Sequence, residues 1–448
     1  MPRSHASGLR AVVVGAGLAG LAAAWRLRER GFDVEVLERR GQCGGRLGCE
    51  RVDGFHVESA LHVARTSDRH LPGWIHAVGL ADELLPLRPV TTAQLAAGRV
   101  VATSARSPLE VARRRGVPLV AGLRTLRLPR LMRRYAPLLD RDAPERAARL
   151  DDRSVGDFAR LYFGRGVYER FCEPLAAAPG GGDADELSRV VFLLEWLAES
   201  GGHVGVARRG LSELPLAAAE RLGVHTRTRA ARIARAGGCL EVEVAGAARR
   251  EADVVVVATG PGEAAALCEP LLSTPEREFL RAVRLRSEAV LVAALHRPAS
   301  GAPHYVRVPA VEGEIVDALL VEPGIADGRA PLGGGLATVT ANAAFCVSSE
   351  GANDEVVEKE LVSALERIYP TVVGTIDFTV LFRRTAAVPV FEVGAYRALD
   401  RFRRVQRDHR ARGRRVYFAG DHLAGNAADA IVGSGFRAAD EAAADLGA

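Results

Sequence analysis

The sequence has almost no lysine, no closely spaced cysteine pair and no long run of apolar residues. Lys359 is the single lysine, so arginine carries nearly all of the positive charge. The six cysteines are scattered without a CxxC pair, which argues against a disulfide framework or a metal site and favours a reducing cytoplasm. No run reaches the roughly 18 apolar residues of a membrane span, and residues 1–9 lack the apolar stretch of a secretory signal. These absences predict a cytoplasmic protein without a bound metal.

A chain of 448 residues is too long for a single small hydrophobic core, so two or more domains are expected. Short, fully apolar strands followed by small residues recur at residues 11–14, 253–257 and 416–419. This recurrence predicts an α/β protein with a discontinuous Rossmann-type domain, an α+β substrate domain and a helical subdomain. The predicted nucleotide-binding domain comprises residues 1–67, 203–265 and 400–448. The predicted substrate domain comprises residues 68–202 and 266–399, with a helical part at about 100–190.

A glycine pattern, Gly15-x-Gly17-x-x-Gly20, directly follows the first strand and opens a helical pattern. In a βαβ unit, the first glycine makes the tight turn, the second lets the backbone approach a pyrophosphate, and the third lets helix and strand pack closely. Leu18 and Ala19 begin the helix, whose free N–H groups and dipole favour phosphate. The spacing therefore predicts a dinucleotide site.

The second strand ends at Glu38, a carboxylate placed to accept hydrogen bonds from ribose hydroxyls, and Arg39 follows it. Gly44-Gly45-Arg46 adds a second flexible backbone stretch and a guanidinium near the pyrophosphate. A charge-neutralising arginine there suits a long, permanently bound FAD. FAD is therefore the expected cofactor.

These motifs, with the middle ATG at 258–260 and the terminal FAGD and GSGFRAA at 418–421 and 433–439, resemble the flavin amine oxidase superfamily. That group includes monoamine oxidases, protoporphyrinogen oxidases and carotenoid or squalene desaturases. The resemblance implies a backbone contact of Ala230 with adenine and a contact of the 420–421 pair with the pyrophosphate and ribitol. It implies further cofactor contacts at Gly260, Gly420, Asp421, Ala428, Asp429, Ala430 and Ile431, the last four at the pyrimidine edge of the flavin.

The branch of the superfamily is indicated by one absence and one match. Lys359 lies in an amphipathic surface helix, so the lysine that amine oxidases place near flavin N5 has no counterpart. Residues 164–188 are similar to a stretch of protoporphyrinogen oxidases. The resemblance implies an FAD-dependent oxidase or dehydrogenase that takes hydride from a large apolar or conjugated substrate. The leading expectation for this substrate is a porphyrinogen. A carotenoid or squalene desaturase, a flavin amine oxidase and a non-catalytic flavin scaffold remain open.

Four side chains are substrate-binding candidates. His62 and Arg65 follow a segment that runs near the active site in this family, and Arg65 would pair with a substrate carboxylate. Arg384 stands where an aromatic residue is common, and Tyr396 closes another matching segment. For each of the four, the alternative is that the side chain does not bind substrate and is only packed in the protein or exposed on its surface. Oxygen or another acceptor would reoxidise the flavin, which should be non-covalent because the nearest cysteine upstream of the terminal flavin loop is Cys346.

Residues 106–134 combine nine arginines with interleaved leucines and valines. Such a helical segment either lies on the inner face of an anionic membrane or forms a solvated face, and both alternatives stay open. No nucleic-acid recognition module accompanies the charge, so nucleic acid is not an expected partner.

Overall fold

The structure is a computed structural model that describes residues 8–104, 107–299, 304–322 and 328–448. Residues 1–7 of the predicted nucleotide-binding domain and Arg106 of the basic segment lie outside the described residues. The chain forms a mixed α/β structure with a four-stranded parallel sheet, a seven-stranded mixed sheet and three smaller sheets. The predicted fold class is confirmed.

The strands are β1 (Arg10–Val14), β2 (Asp33–Leu37), β3 (Cys49–Val52), β4 (Phe55–Glu58), β5 (Ala64–Arg65), β6 (Arg88–Pro89), β7 (Thr91–Ala96), β8 (Arg99–Ala102), β9 (Val204–Val206), β10 (Ala230–Ala236), β11 (Cys239–Val244), β12 (Arg250–Ala252), β13 (Val254–Val257), β14 (Leu285–Leu295), β15 (His304–Arg307), β16 (Val316–Glu322), β17 (Gly335–Ala341), β18 (Ile376–Pro389) and β19 (Val416–Phe418). The α-helices are α1 (Leu18–Glu29), α2 (Leu71–Val78), α3 (Ala81–Leu84), α4 (Pro108–Ala112), α5 (Leu119–Arg124), α6 (Leu128–Tyr135), α7 (Val155–Tyr162), α8 (Arg165–Val167), α9 (Glu173–Gly180), α10 (Arg189–Gly201), α11 (Glu213–Leu222), α12 (Pro261–Leu267), α13 (Thr274–Ala282), α14 (Ala343–Ser348), α15 (Asp354–Ile368), α16 (Ala395–Ala411) and α17 (Ala428–Leu446).

The parallel sheet has the strand order β19-β13-β1-β2, so segments from the start, middle and end of the chain meet in one layer. Its valines are buried on both faces. The helices α1 and α17 pack on one face, and the three-stranded sheet β10-β11-β12 packs on the other with α12 and α16. The carboxyl ends of all four strands lie along one edge. The residues that follow them, among them Gly15, Glu38, Ala258 and Gly420, therefore gather there.

The mixed sheet has the order β18-β14-β17-β16-β15-β7-β8. Residues 91–102 supply two of its strands, ahead of most of the helical part predicted at about 100–190. β7 pairs in parallel with β15, so these strands join the sheet through a partner more than two hundred residues away, a pairing that local periodicity does not reveal. The predicted domain boundaries at residues 265 and 400 fall inside α12 and α16.

The helices between residues 108 and 201 enclose their own apolar core, which Phe391 and Tyr396 complete. In the basic segment Val111 and Leu128 are buried, but Leu119 and Val120 are 73% and 68% exposed. Among the described residues, no helix is long and apolar enough to cross a membrane.

The last helix, α17, packs along α1. A Cβ at Gly435 would lie 2.3 Å from the carbonyl oxygen of Ala19, so only glycine allows the two backbones this approach. The helix begins at Ala428, so the expected flavin contacts at residues 428–431 belong to its first turn.

Candidate active site

A cavity of about 680 Å3 lies between the carboxyl edge of the parallel sheet and one end of the mixed sheet. Its nucleotide end, as we name it, is lined by the turns after β1, β2 and β13. Its substrate end is lined by residues of β14, β16, β17 and β18 and by the segment after β4. Contributions from both sheets make this the candidate site.

The glycine turn after β1 shapes the nucleotide end. Gly15 has a φ of +103°, and a Cβ there would lie 2.6 Å from the carbonyl oxygen of Ala258. A Cβ at Gly20 would lie 1.9 Å from the carbonyl oxygen of Gly15. Gly17 differs, because it has ordinary extended dihedral angles and no heavy atom within 4 Å of its ideal Cβ. Gly15 and Gly20 therefore hold the turn together, while Gly17 leaves open space on the cavity side.

Glu38 is held as a fixed acceptor at the end of β2. Its carboxylate accepts hydrogen bonds from the backbone N–H groups of Ala16, at 2.9 Å, and Arg40, at 2.8 Å. The side chain is 9% exposed and lines the cavity. Each oxygen keeps a lone-pair direction for a ribose hydroxyl, so the geometry fits the role that the spacing predicts.

The second glycine pair lies on the first turn. The N–H of Gly44 donates to the carbonyl oxygen of Ala16 at 2.8 Å, and a Cβ at Gly45 would lie 3.2 Å from the Cα of Gly17. Gly44 and Gly45 both have positive φ and both line the cavity. The two glycine stretches thus form one wall made of main chain.

Arg46 and Asp421 form an ion pair near the middle of the cavity. Arg46 also donates to the carbonyl oxygen of Ala387 at 3.0 Å. Burial alone would raise the pKa of Asp421, but Arg46 and His422 lower it below its usual value. The N–H of Gly420 donates to Ser434, which fixes the turn that carries the aspartate. Asp421 is therefore a carboxylate that a partner from the other end of the chain holds in place.

Most of the other expected cofactor contacts also line the cavity: Leu18, Ala19, Arg39, Ala230, Gly260, Ala428 and Ile431. Gly20, Asp429 and Ala430 do not. Asp429 is buried and accepts the backbone N–H groups of Arg69, His70 and Leu71 at 2.7–3.1 Å, which caps the start of α2. Its expected place under the flavin is corrected, because a helical residue at this position points back into the protein.

Three of the four substrate-binding candidates line the substrate end. Arg65 is 6% exposed and pairs with Glu195 at 2.8 Å, so it is neither a surface residue nor an unpaired cation. Arg384 pairs with Glu288 at 2.9 Å. Tyr396 is not among the residues that line the cavity, and it stacks on Phe391 in the helical core instead.

His62 is the third of these candidates. Its Nε2 atom is buried and has no hydrogen-bond partner in the described structure. Burial lowers the pKa of the imidazole, although Glu58 and Glu288 oppose the shift. The ring is therefore neutral at neutral pH, and His62 is among the residues that line the cavity.

Sequence reasoning missed four charged residues of the mixed sheet that line the cavity, namely Arg286, Glu288, Asp317 and Arg383. Arg286 and Glu288 lie on β14, Asp317 lies on β16, and Arg383 lies on β18. No local motif marks them, because each sits in an ordinary strand. Charged residues that interrupt apolar strands were the available signal.

The residues at the nucleotide end fit FAD. The space beside Gly17, the fixed carboxylate of Glu38 and the main-chain wall together suit an adenosine ribose and a pyrophosphate. No cysteine is among the residues that line the cavity, and the described part of the chain contains no cluster of potential metal ligands.

Comparisons with known proteins place the chain among flavoproteins. It is 28% identical over 185 residues to the mitochondrial protoporphyrinogen oxidase of Nicotiana tabacum, which covers 41% of this chain and 35% of that protein. It is 30% identical over 198 residues to the coproporphyrinogen III oxidase of Propionibacterium freudenreichii subsp. freudenreichii, which covers 42% and 34%. The matched stretch therefore spans about a third of each of these relatives.

The structure superposes on the cyclohexylamine oxidase of Brevibacterium oxydans IH-35A with a TM-score of 0.75 and 18% identity, over 99% of this chain and 100% of that one. At this identity the likeness shows the fold and leaves the reaction open. The family described as flavin containing amine oxidoreductase matches residues 18–446. The chain therefore belongs to the flavin containing amine oxidoreductases and is an FAD-dependent oxidoreductase.

Proposed function

We propose that the protein oxidises a porphyrinogen-type substrate at the substrate end of the cavity. The observation that carries the proposal is the charged lining of that end, where Arg65, Arg286, Arg383 and Arg384 all face the cavity. A polyene desaturase requires a long apolar tunnel, which this lining does not provide. A tetrapyrrole with carboxylate side chains suits arginines. The matches to porphyrinogen oxidases give independent support.

Bound FAD would supply the hydride acceptor, and the residues of this chain would hold the substrate against it. His62 lines this end of the cavity, and its neutral imidazole has one nitrogen that can accept a hydrogen bond from a substrate N–H. The Arg384–Glu288 pair stays fixed and so keeps the cavity wall from reorganising. A porphyrinogen is easily oxidised, so the reaction requires no strong base, and oxygen or another acceptor would take the electrons from the flavin.

Amine oxidation has less support. Lys359 is exposed on α15 and does not line the cavity. The buried face of this helix carries Val357, Leu361 and Leu365, and the lysine is exposed. This chain therefore offers no lysine to position water at a flavin.

The test is formation of porphyrin, followed by its fluorescence, from protoporphyrinogen and coproporphyrinogen. The control for non-enzymatic oxidation is the same reaction with Gly17→Val protein, which should lack FAD. We expect porphyrin to appear at least about tenfold faster with the holoprotein than with the control. Equal rates in the two reactions would contradict the proposal.

We propose that the FAD is non-covalent, since the cavity lining contains no cysteine. Acid precipitation should leave the flavin in the supernatant, where chromatography identifies it as FAD. Flavin that stays with the precipitated protein would disprove this.

We also propose that the described part of the basic segment, residues 107–134, contacts an anionic membrane surface. Leu119, Val120 and Leu123 are 50–73% exposed, and arginines flank them. Exposed leucines beside arginines match lipid chains beside anionic headgroups. The wild type should sediment with phosphatidylglycerol vesicles, and Leu119→Glu should not. Val373→Glu, at another exposed valine, should still sediment. Equal sedimentation of all three proteins would refute the contact.

A further inference from the structure

Arg286 differs from the other arginines at the substrate end. Arg65, Arg383 and Arg384 each have a carboxylate partner, respectively Glu195, Asp354 and Glu288, at 2.7–2.9 Å. Within the described residues, no carboxylate lies within 4.0 Å of Arg286. Its one hydrogen bond there is a long contact of 3.5 Å to the carbonyl oxygen of Ser287, and its Nε atom is buried without an acceptor. A cation lining a cavity without a counter-ion is costly unless a ligand supplies one.

The backbone holds this guanidinium in place. A Cβ at Gly181 would lie 2.6 Å from Nε of Arg286 and 3.0 Å from Val388, and Gly181 has a φ of +72°. Gly181, which directly follows α9, thus brings main chain against the arginine. Arg286 therefore has little freedom to swing away and find a partner elsewhere.

Asp317 on β16, like Arg286, has a buried polar atom without a hydrogen-bond partner in the described structure. It is 8% exposed, lines the same cavity end, and its Oδ1 atom is buried without a hydrogen-bond partner in the described structure. A buried carboxylate oxygen without a hydrogen-bond partner is costly, as is a cation without a paired carboxylate. Neither residue is explained by packing, and both are open to the same ligand.

The groups that face Asp317 come from four elements. Arg286 and Glu288 lie on β14, Glu173 on α9, Tyr305 on β15, and Cys346 on α14. Burial raises the pKa of Asp317 to about 7, with Glu288 adding to the rise and Arg286 opposing it. Burial also raises the pKa of Glu173 to about 8, so this neighbour is mostly protonated at neutral pH and adds little negative charge.

We propose that Arg286 and Asp317 form an anion-binding subsite for a substrate carboxylate, and that Asp317 takes up a proton when the carboxylate binds Arg286. The proposal rests on the proposed function and extends it, because it assigns the carboxylate end of the substrate to Arg286 and Asp317 on the mixed sheet. Two carboxylates beside one buried guanidinium do not both stay ionised. The protonated Asp317 then donates a hydrogen bond to the bound carboxylate.

The pH dependence follows from linkage. A bound carboxylate raises the pKa of Asp317 further, so the carboxylate binds most tightly where Asp317 is already protonated. The dissociation constant is therefore constant at low pH and rises by up to about tenfold per pH unit above the pKa of the free protein. A neutral analogue of the same shape shows no such rise.

The experiment is calorimetric titration of the FAD-bound protein with benzoate and with benzamide at about pH 6 and about pH 8. Benzoate should bind up to about tenfold more weakly at the higher pH and at least about tenfold more weakly to Arg286→Leu than to the wild type. Arg286→Lys should bind benzoate with intermediate affinity. The exposed Arg404, which pairs with Asp400 on α16, provides the matched control, and Arg404→Leu should behave as the wild type.

Asp317→Asn separates the subsite from a general loss of structure. Asparagine keeps the hydrogen-bond donor and removes the titration, so this variant should bind benzoate equally at both pH values. Benzoate affinity that is unchanged in Arg286→Leu, or that still falls with pH in Asp317→Asn, would overturn the subsite. If benzoate behaves as expected but no porphyrinogen is oxidised, the proposed function is wrong and the subsite stands.

Discussion

The two ends of the cavity are built from different parts of the polypeptide. The nucleotide end is mostly main chain, with the glycine turns at 15–20 and 44–45 and the single carboxylate of Glu38. The substrate end is mostly charged side chains, among them the pairs Arg65–Glu195 and Arg384–Glu288. A lining of main chain suits a ligand that stays the same, such as the cofactor. A lining of side chains can change by substitution without disturbing the fold, so it suits the choice of substrate. The comparison teaches that cofactor binding and substrate choice are separable, and mutations at the two ends should separate them.

The largest effect is expected at the nucleotide end, from Gly17→Val. The backbone at Gly17 suits any residue, and the new side chain would enter open cavity space, so the protein should fold. That space is needed by the pyrophosphate, and FAD content should fall at least about tenfold. The measurement is flavin absorbance per protein after purification, with circular dichroism to check folding.

Two other glycines sharpen this result. Gly351→Val is the matched control, since Gly351 also has no atom within 4 Å of its ideal Cβ but lies outside the cavity lining, and it should keep its FAD. Gly20→Val should fail to fold, because its Cβ would overlap the carbonyl oxygen of Gly15. A yellow, folded Gly17→Val protein would show that the cofactor binds elsewhere.

At the substrate end, Glu288→Gln should impair turnover while leaving FAD content unchanged. The substitution removes the negative charge that pairs with Arg384 at 2.9 Å, so the guanidinium keeps its hydrogen bond to the carbonyl oxygen of Ser59 but loses its counter-charge. We expect kcat/KM for the porphyrinogen to fall about tenfold to a hundredfold, with most of the change in KM. Loss of FAD from this variant would mean that the two ends are not separable.

A smaller effect is expected from Asp429→Ala, and it should appear in stability alone. The carboxylate accepts three backbone N–H groups at the start of α2, so its loss should lower the free energy of unfolding by about 1–2 kcal/mol. Urea unfolding measures the change, with Asp408→Ala, at an exposed position of α16, as the control. Weaker FAD binding by Asp429→Ala, at unchanged stability, would restore the original expectation of a cofactor contact.

The nucleotide end was largely predictable from the sequence, because its determinants are local. Glycines at fixed spacing after a buried strand encode a turn within a few residues, and Glu38 ends the next strand. The substrate end was not predictable from the sequence, because Arg286 and Asp317 become neighbours only when β17 pairs with both of their strands. Tyr396 and Asp429 were misplaced for a related reason. Motif matching locates a residue along the chain but does not decide which way its side chain points.

The smallest effect is expected from Lys359→Met. The lysine is exposed on α15 and outside the cavity lining, so porphyrin formation and FAD content should both stay within about twofold of the wild type. Steady-state rates with primary and secondary amines should be low for both proteins. An amine that reduces the flavin rapidly in the wild type and slowly in the variant would move the protein to the amine oxidases.

The central claim is that this cavity accepts a porphyrinogen and passes its hydride to FAD. Anaerobic stopped-flow mixing of the holoprotein with a porphyrinogen, a polyene and an amine tests it directly, by the loss of flavin absorbance near about 450 nm. The account predicts rapid bleaching with the porphyrinogen, at a rate that saturates with its concentration, and slow or absent bleaching with the other two. Bleaching by the polyene or the amine alone would contradict the claim, and no bleaching by any of the three would leave a flavin-binding scaffold.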